Sequence, residues 1–423
     1  MSQKSILSSK SVIDFVYMFC SNILKKVFGF VREIILAYFF GSSILYANYL
    51  LLKTVSDFLS QLTLGNALQA NLMPKFTKLY AKSDLVDLSE VFIFSKGFVW
   101  KLFLFSQVVQ LPIIWYISPD NLYLYISLSI FLGAVMSANF FNSIFLTILQ
   151  SKGDFKKHSI ATTLGLFVST LVLYPFILLF NVIGVVFSRL FGILTLTIKY
   201  VKPLLAEREG LKATLTYSDF NLSVMILGNF ANIIMLLGRF VAGADGGNEI
   251  AFFTYSVVLL NVLLTTVIIN VNTIVLKIVS VKKELKIILF SSFIAVVLGT
   301  ILILVVNSFS IEIVGFIFER GAFVSDDTLQ TASYLKSLSW SFILIFVAST
   351  LFQPYFTLPQ VYLKEKSKYL ARPFILSVVL LSTYFYFNDE SIKSNSLLMI
   401  QGLSCVSFVL SAFAFKNYYR YEN

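Results

Sequence analysis

The stretch KKVFGFVREIILAYFFG, Lys25 to Gly41, sets four charged side chains among phenylalanines, valines and isoleucines. One charge at the centre of a bilayer costs roughly 2.5–3.5 kcal/mol on insertion scales, so Lys25, Lys26, Arg32 and Glu33 need a reason to be there. At about 100° per residue, with Lys25 at zero, Arg32 falls near −20°, Gly29 near 40°, Glu33 near 80° and Lys26 near 100°. Ser11, Asp14, Ser21 and Asn22 join the same side, while Phe28, Phe30, Val31, Ile34 and Ile35 take the other arc. Two physical readings fit such a stripe. The lysines can snorkel while Arg32 pairs with an acid elsewhere, or the stripe can line a water-filled cavity. Counting about 14 residues from the start of the helix puts Lys25 near mid-depth, too deep for snorkelling, and favours the cavity. Three cations against Glu33 suit an anion: arginine grips a phosphate through a planar fork and lysine as a point charge. A carrier of organic cations calls for the opposite sign.

Other segments carry polar faces of the same kind. Lys53, Ser56, Asp57 and Ser60 share an arc, with Lys53 and Asp57 an i, i+4 pair that serves structure or function equally well. Asn221, Gly228, Asn232 and Arg239 align on a seventh hydrophobic segment, where Arg239 either faces the cavity or reaches the outer headgroups. Asn261, Thr265 and Asn272 align on the eighth.

The elements that must position these residues are membrane helices. The 423 residues are 57% hydrophobic and 13% charged, too apolar for an ordinary soluble domain. Apolar runs of about 20 or more residues recur from end to end, the length a helix needs to cross a hydrocarbon core. The short alternating strands of a closed barrel are missing from the pattern. The reading is an all-α polytopic membrane protein with about twelve transmembrane helices in two six-helix lobes around a central cavity. Its spans include 11–40, 44–73, 158–180, 182–201, 219–242 and 249–276. Lys and Arg gather in every second connection, as in Lys75, Lys78 and Lys82, or Lys152, Lys156 and Lys157, or Lys277, Lys282, Lys283 and Lys286. The alternate connections, such as GSS at 41–43 and GADGGNE at 243–249, are neutral or acidic. The positive-inside rule then puts both termini in the cytoplasm. It also explains the net charge of +11 as topology and attraction to anionic lipid, not a nucleic-acid footprint. The longest cytoplasmic connection divides the chain into an N-terminal lobe (1–202), a linker (203–218) and a C-terminal lobe (219–423).

Catalysis finds little support. No connection is long enough for a separate soluble domain, and no nucleotide loop, zinc spacing, nucleophile triad or cofactor motif is present. Asp326 and Asp327 read as solvated acids at a helix start. Cys20 and Cys405 read as small packing residues and His158 as an interfacial polar residue.

Here the residues become recognisable. Gly29–Gly41, with the run on to Pro74, resembles the first two helices of the lipid II flippase family (MurJ/MviN type), within the multidrug/oligosaccharidyl-lipid/polysaccharide exporter superfamily. FERGAFVSDDTLQTASYL, Phe318–Leu335, is similar to that family's external turn between helices nine and ten, and Pro354–Pro373 follows at the expected place. The resemblance implies alternating access that carries an undecaprenyl-pyrophosphate-linked sugar outward, through a cavity lined mainly by helices 1, 2, 7 and 8. It sets Lys26 and Arg32 on the family's two cavity arginines and Glu33 on its neighbouring acid. The chain departs from the pattern too: the family's other cavity aspartate and arginine fall on Ala47 and Ser60, its eighth-helix Arg and Glu on Val258 and Asn261, and its two extra C-terminal helices are missing. Lys25, Lys53 and Arg239 can compensate in part. The expected cargo is lipid II or a surface-polysaccharide repeat unit, with membrane lipids as the other partner. A drug or metabolite antiporter of the same superfamily is the alternative. The coupling ion is not readable.

Overall fold

The computed structural model describes residues 9–63, 66–83, 85–117, 121–206, 209–262, 285–388 and 390–422. Thr265, Asn272, Lys277, Lys282 and Lys283 lie outside them. The described chain is helical almost throughout: α1 (Ser9–Phe40), α2 (Ile44–Thr63), α3 (Asn66–Tyr80), α4 (Ser89–Ile117), α5 (Leu122–Ser151), α6 (Phe155–Leu171), α7 (Leu173–Leu196) and α8 (Lys202–Ala206). Then come α9 (Leu222–Gly228), α10 (Phe230–Ala242), α11 (Glu249–Val262), α12 (Leu285–Phe318), α13 (Ser325–Phe352), α14 (Gln360–Phe387) and α15 (Ile392–Glu422).

Among the described residues six helices are long and apolar enough to cross a membrane. The α9–α10 pair, bent by 79° at Asn229, makes a seventh if it is one broken span. The exposed surface of these helices is itself apolar, as at Leu104, Phe105, Val108 and Leu111 on α4, which suits lipid rather than water. Trp115, Tyr116 and Tyr123 stand fully out at the α4–α5 end, where amphipathic rings favour the headgroup level. α1 fails the apolarity test through its charges, although its 32 residues make a rod of about 48 Å, well over the ~30 Å hydrocarbon thickness.

The expected break between spans at residue 181 has a physical marker. Asn181 has φ 52°, ψ −135°, and is the one described non-glycine residue with positive φ. Asparagine tolerates that region better than most residues. The chain doubles back there: Gly184 packs on the Phe176 carbonyl and Gly192 on the Gly165 carbonyl, a ladder only an antiparallel pair folded at 181 can make.

The residues form two compact units, Met1–Arg32 with Val55–Phe220, and Glu33–Thr54 with Asn221–Asn423. The chain changes unit inside α1, between Arg32 and Glu33, and returns inside α2, between Thr54 and Val55. The third crossing, after Phe220, comes just past the expected linker.

In the first unit α4 packs on α5, α6 on α7 and α3 on α5. Two of the connections carry a short parallel strand pair, β1 (Val86–Asp87) with β2 (Leu211–Lys212). Gly210, at φ 104°, lets the second strand approach: a Cβ there would sit 2.0 Å from the Leu85 carbonyl oxygen. Lys75 Nζ donates to Asp219 Oδ2 at 2.8 Å, and Phe94, Phe98 and Phe220 stack beside the pair. Partial burial raises the Asp219 carboxyl, but the Lys75 ammonium and the Thr216 N–H and hydroxyl outweigh it and hold the group below the usual carboxylate range.

In the second unit α12 packs on α13 where Gly299 meets Ile343, and α10 packs on α15 where Gly238 meets Ile400. α13 also packs on α15, and α9 on α14. The two sequence blocks that carry the family resemblance meet here. Gly321, at φ 66°, lies against the Tyr38 carbonyl, which accepts from Ala322 N at 2.9 Å. Asp327 corrects its expected role as a solvated cap. It is buried, accepts from Ser42 Oγ at 2.6 Å and from Val324 N at 3.1 Å, and so ties the start of α13 to the α1–α2 turn. Cys20 and Cys405 are exposed free thiols rather than packing residues.

Candidate functional site

The first unit presents one face of α1 to α6. Ser21 Oγ donates to the Ser159 carbonyl at 3.0 Å and lies 2.7 Å from Thr163 Oγ1. Two turns on, the Thr170 hydroxyl reaches back to the Phe28 carbonyl at 3.4 Å. Arg32 then closes the seam. Its guanidinium donates to Ser169 Oγ on α6 at 2.7 Å and to the Val185 carbonyl on α7 at 2.8 Å. At 2% exposure the fork is used within the protein, bridging the two arms of the α6–α7 hairpin.

Lys25 and Lys26 sit between these fastenings, half-buried. No carboxylate pairs with either ammonium among the described residues. Ser21 contacts Ser159 and Thr163, and the Phe28 carbonyl meets Thr170, so α1 runs parallel to α6 and the pair lies beside the middle of that helix.

The remaining candidates divide between the units. Asp57, half-buried, belongs to the first. In the second, Glu33 is half-buried and accepts from the Tyr46 hydroxyl at 3.5 Å, within a stack of Tyr46, Tyr49 and Tyr255. Lys53 is buried, and Arg239 is buried with its Nε donating to Thr54 Oγ1 at 2.7 Å. That contact ties α10 to α2 within the second unit. Asn232 is exposed on α10 and Asn261 half-buried on α11.

His158, read from the sequence as an interfacial polar residue, lies in the first turn of α6 against Gln150, which the sequence reading did not name. His158 Nδ1 is 3.2 Å from Gln150 Nε2, and Gln150 is buried at the end of α5. The sole histidine of the chain, following a Lys-Lys pair, was the only available signal.

No known family profile and no curated protein matches this chain in sequence. Solved structures do match its fold. The lipid II flippase MurJ in an inward closed conformation superposes with a TM-score of 0.70 at 15% identity, over 96% of this chain and 87% of that one. A multidrug resistance MATE transporter in its inward-facing conformation gives 0.60 at 16% identity, over 96% and 95%. A MOP-superfamily transporter from Pyrococcus furiosus, described by the reverse polarity of its binding pocket, gives 0.52 at 15% identity over 98% and 95%. The chain has the fold that the lipid II flippase shares with the MATE and other MOP-superfamily transporters.

Proposed function

We propose that this chain is a flippase. It carries an undecaprenyl-pyrophosphate-linked saccharide, either lipid II or a surface-polysaccharide repeat unit, from the inner to the outer leaflet of a bacterial cytoplasmic membrane by alternating access. The observation that carries the reading is the Lys25–Lys26 pair: two half-buried ammoniums without a carboxylate partner among the described residues, on the first helix of a flippase fold. Desolvating two adjacent cations is costly unless an anion shares the site. A diphosphate supplies that charge together with several acceptor oxygens. In this reading Lys25 and Lys26 hold the diphosphate and Arg32 fixes the helix face that presents them. Glu33, Lys53, Asp57, Asn232, Arg239 and Asn261 serve the saccharide path, and the tail stays in lipid. Twelve spans, lobes at 1–202 and 219–423 and cytoplasmic termini belong to the same proposal.

The test is depletion of the protein followed by identification of the lipid-linked glycan that accumulates on the cytoplasmic side. A Lys25→Ala, Lys26→Ala double variant should accumulate the same glycan while remaining in the membrane. Unchanged export by that variant would overturn the assignment. The MATE superposition favours one second reading, a drug or metabolite antiporter. Drug efflux in a hypersensitive strain, without glycan accumulation on depletion, would decide for it.

A further inference from the structure

α14 and α15 form an antiparallel pair with a fixed register. Leu381 packs on Gly402, and Asn388 Nδ2 donates to Asn395 Oδ1 at 3.0 Å. Carried along the pair, that register sets Pro373 opposite Leu410 and Lys366 opposite Asn417. Toward that end a cleft of about 620 Å³ opens between the two helices. Leu370, Pro373, Val406, Val409, Leu410 and Phe413 wall it, with Cys405 toward one end and Tyr369 and Asn417 toward the other. Tyr369, Val409 and Phe413 are half exposed or more, so the cleft opens onto the surroundings of the helices.

The cleft has one apolar length and one cationic end. From Cys405 to Asn417 the α15 wall rises about 18 Å, just over half of the ~30 Å hydrocarbon thickness and so about one leaflet. A void of that size would forfeit the dispersion contacts of its walls, which a flexible hydrocarbon chain restores. On α14, with Tyr369 at zero and about 100° per residue, Pro373 falls at about 40°, Leu370 at about 100° and Lys366 at about 60°. Lys366 therefore continues the wall one turn before Tyr369, and its ammonium lies 5.7 Å from the centre of that ring. On α15, with Cys405 at zero, the wall residues span about 0° to 140° and Lys416 falls at about 20°. The register brings Lys366 and Lys416 to the same end. Lys368 and Arg372 stand exposed beside them. Against these cations the one acid among the described side chains there is Glu365, exposed and 3.8 Å from Lys366.

We infer that this cleft binds an anionic glycerophospholipid of the cytoplasmic leaflet, with one acyl chain lying along α15 from Asn417 to Cys405 and the phosphate on Lys366 and Lys416. The leaflet follows from the cytoplasmic termini of the flippase reading; the site itself does not depend on the cargo. Charge complementarity selects the lipid, because each lysine near the surface favours an anionic over a zwitterionic headgroup by about fivefold. The contact with the Tyr369 ring holds the Lys366 ammonium at the mouth. The cleft and its cations lie wholly in the second unit, whereas Lys25 and Lys26 belong to the first, so the site needs no headgroup shared with that pair. The bound chain completes the packing of α14 on α15 where the two helices part.

Native mass spectrometry of the full chain, titrated in detergent with phosphatidylglycerol or phosphatidylcholine of identical acyl chains, counts each bound lipid. The first phosphatidylglycerol should bind about twentyfold more tightly than the first phosphatidylcholine, and a Lys366→Gln, Lys416→Gln double variant should lose that preference. Cys405 localises the effect. In a Cys20→Ser chain, hexadecyl methanethiosulfonate lays an alkyl chain in the cleft through the exposed Cys405 thiol and should displace one phosphatidylglycerol, whereas the methyl reagent should displace none. Equal affinity for the two lipids, or a first phosphatidylglycerol that persists after hexadecylation, would overturn the site. Undecaprenyl phosphate that displaces the phospholipid at lower concentration would give the cleft to the cargo's tail and overturn it too. So would a dimer that the hexadecyl reagent dissociates, since a second copy would then cover the cleft. Lys25 and Lys26 are untouched throughout, so glycan accumulation on depletion tests the flippase reading separately.

Discussion

Arg32 offers the sharpest separation of a structural charge from a cargo charge. Its fork spans two helices, with one arm on Ser169 Oγ and the other on the Val185 carbonyl. A lysine ammonium is a single point and can reach one of these, not both. Hydrogen bonds to charged groups contribute about 1.5–3 kcal/mol each in water-soluble proteins, and about 0.6 and at most about 1.7 in membrane bundles. Two such bonds in a membrane bundle therefore put the loss in Arg32→Met at about 1–3 kcal/mol. Release of the desolvation cost of a buried cation offsets part of it, whereas Arg32→Lys keeps that cost and loses half the partners. The lysine variant should therefore be no more stable than the methionine one. For a unit of roughly 200 residues, an unfolding entropy of about 2.1 cal/mol/K per residue turns 1 kcal/mol into about 2.4 °C, so both variants should melt about 2–7 °C below the parent. The assay is thermal unfolding in detergent, paired with farnesyl diphosphate affinity measured well below both melting points. Affinity should change by less than about threefold. A methionine variant that melts within 1 °C of the parent yet loses the diphosphate would refute the reasoning and return Arg32 to the cargo.

Three further outcomes follow from the described contacts. Gly321→Ala places a Cβ 2.4 Å from the Tyr38 carbonyl oxygen at φ 66° and should cost about 3 kcal/mol, read as lost monodisperse protein in fluorescence-detected gel filtration. Asp327→Ala removes the acceptor for Ser42 and Val324 and should cost about 2 kcal/mol, whereas Asp326→Ala, one exposed residue earlier, should stay within about 0.5 kcal/mol; equal melting of the two variants would contradict the placement. The Asp219 carboxyl is depressed on folding, so its contribution is present above the ordinary carboxylate range and is lost as pH falls through the lowered value. Because Lys75 and Asp219 are partly exposed, the contribution is below about 1 kcal/mol, and Asp219→Asn should speed amide exchange of Leu211 and Ala213 at pH 7, by a factor that shrinks as pH falls through the lowered carboxyl value.

What could be read from the chain alone follows from which interactions are local. Helix periodicity placed Ser21, Lys25 and Arg32 on one face of α1, and that face exists. Periodicity names no partner, and the partners of Arg32 lie 137 and 153 residues away. On that face Ser21 and Arg32 make seams to α6 and α7, and Lys25 and Lys26 lie between them with no carboxylate partner among the described residues. Asn181 was legible because a residue that accepts positive φ stood where two apolar runs met. Asp327 was misjudged for the converse reason. The rule for acids at helix starts sees the N–H groups of its own helix and not the Ser42 hydroxyl, which approaches from 285 residues earlier. α1 runs parallel to α6, with Ser21 on Ser159 and Thr163 and the Phe28 carbonyl on Thr170, so Lys25 and Lys26 lie between two contacts that join residues more than 130 apart in sequence and that no local pattern could name.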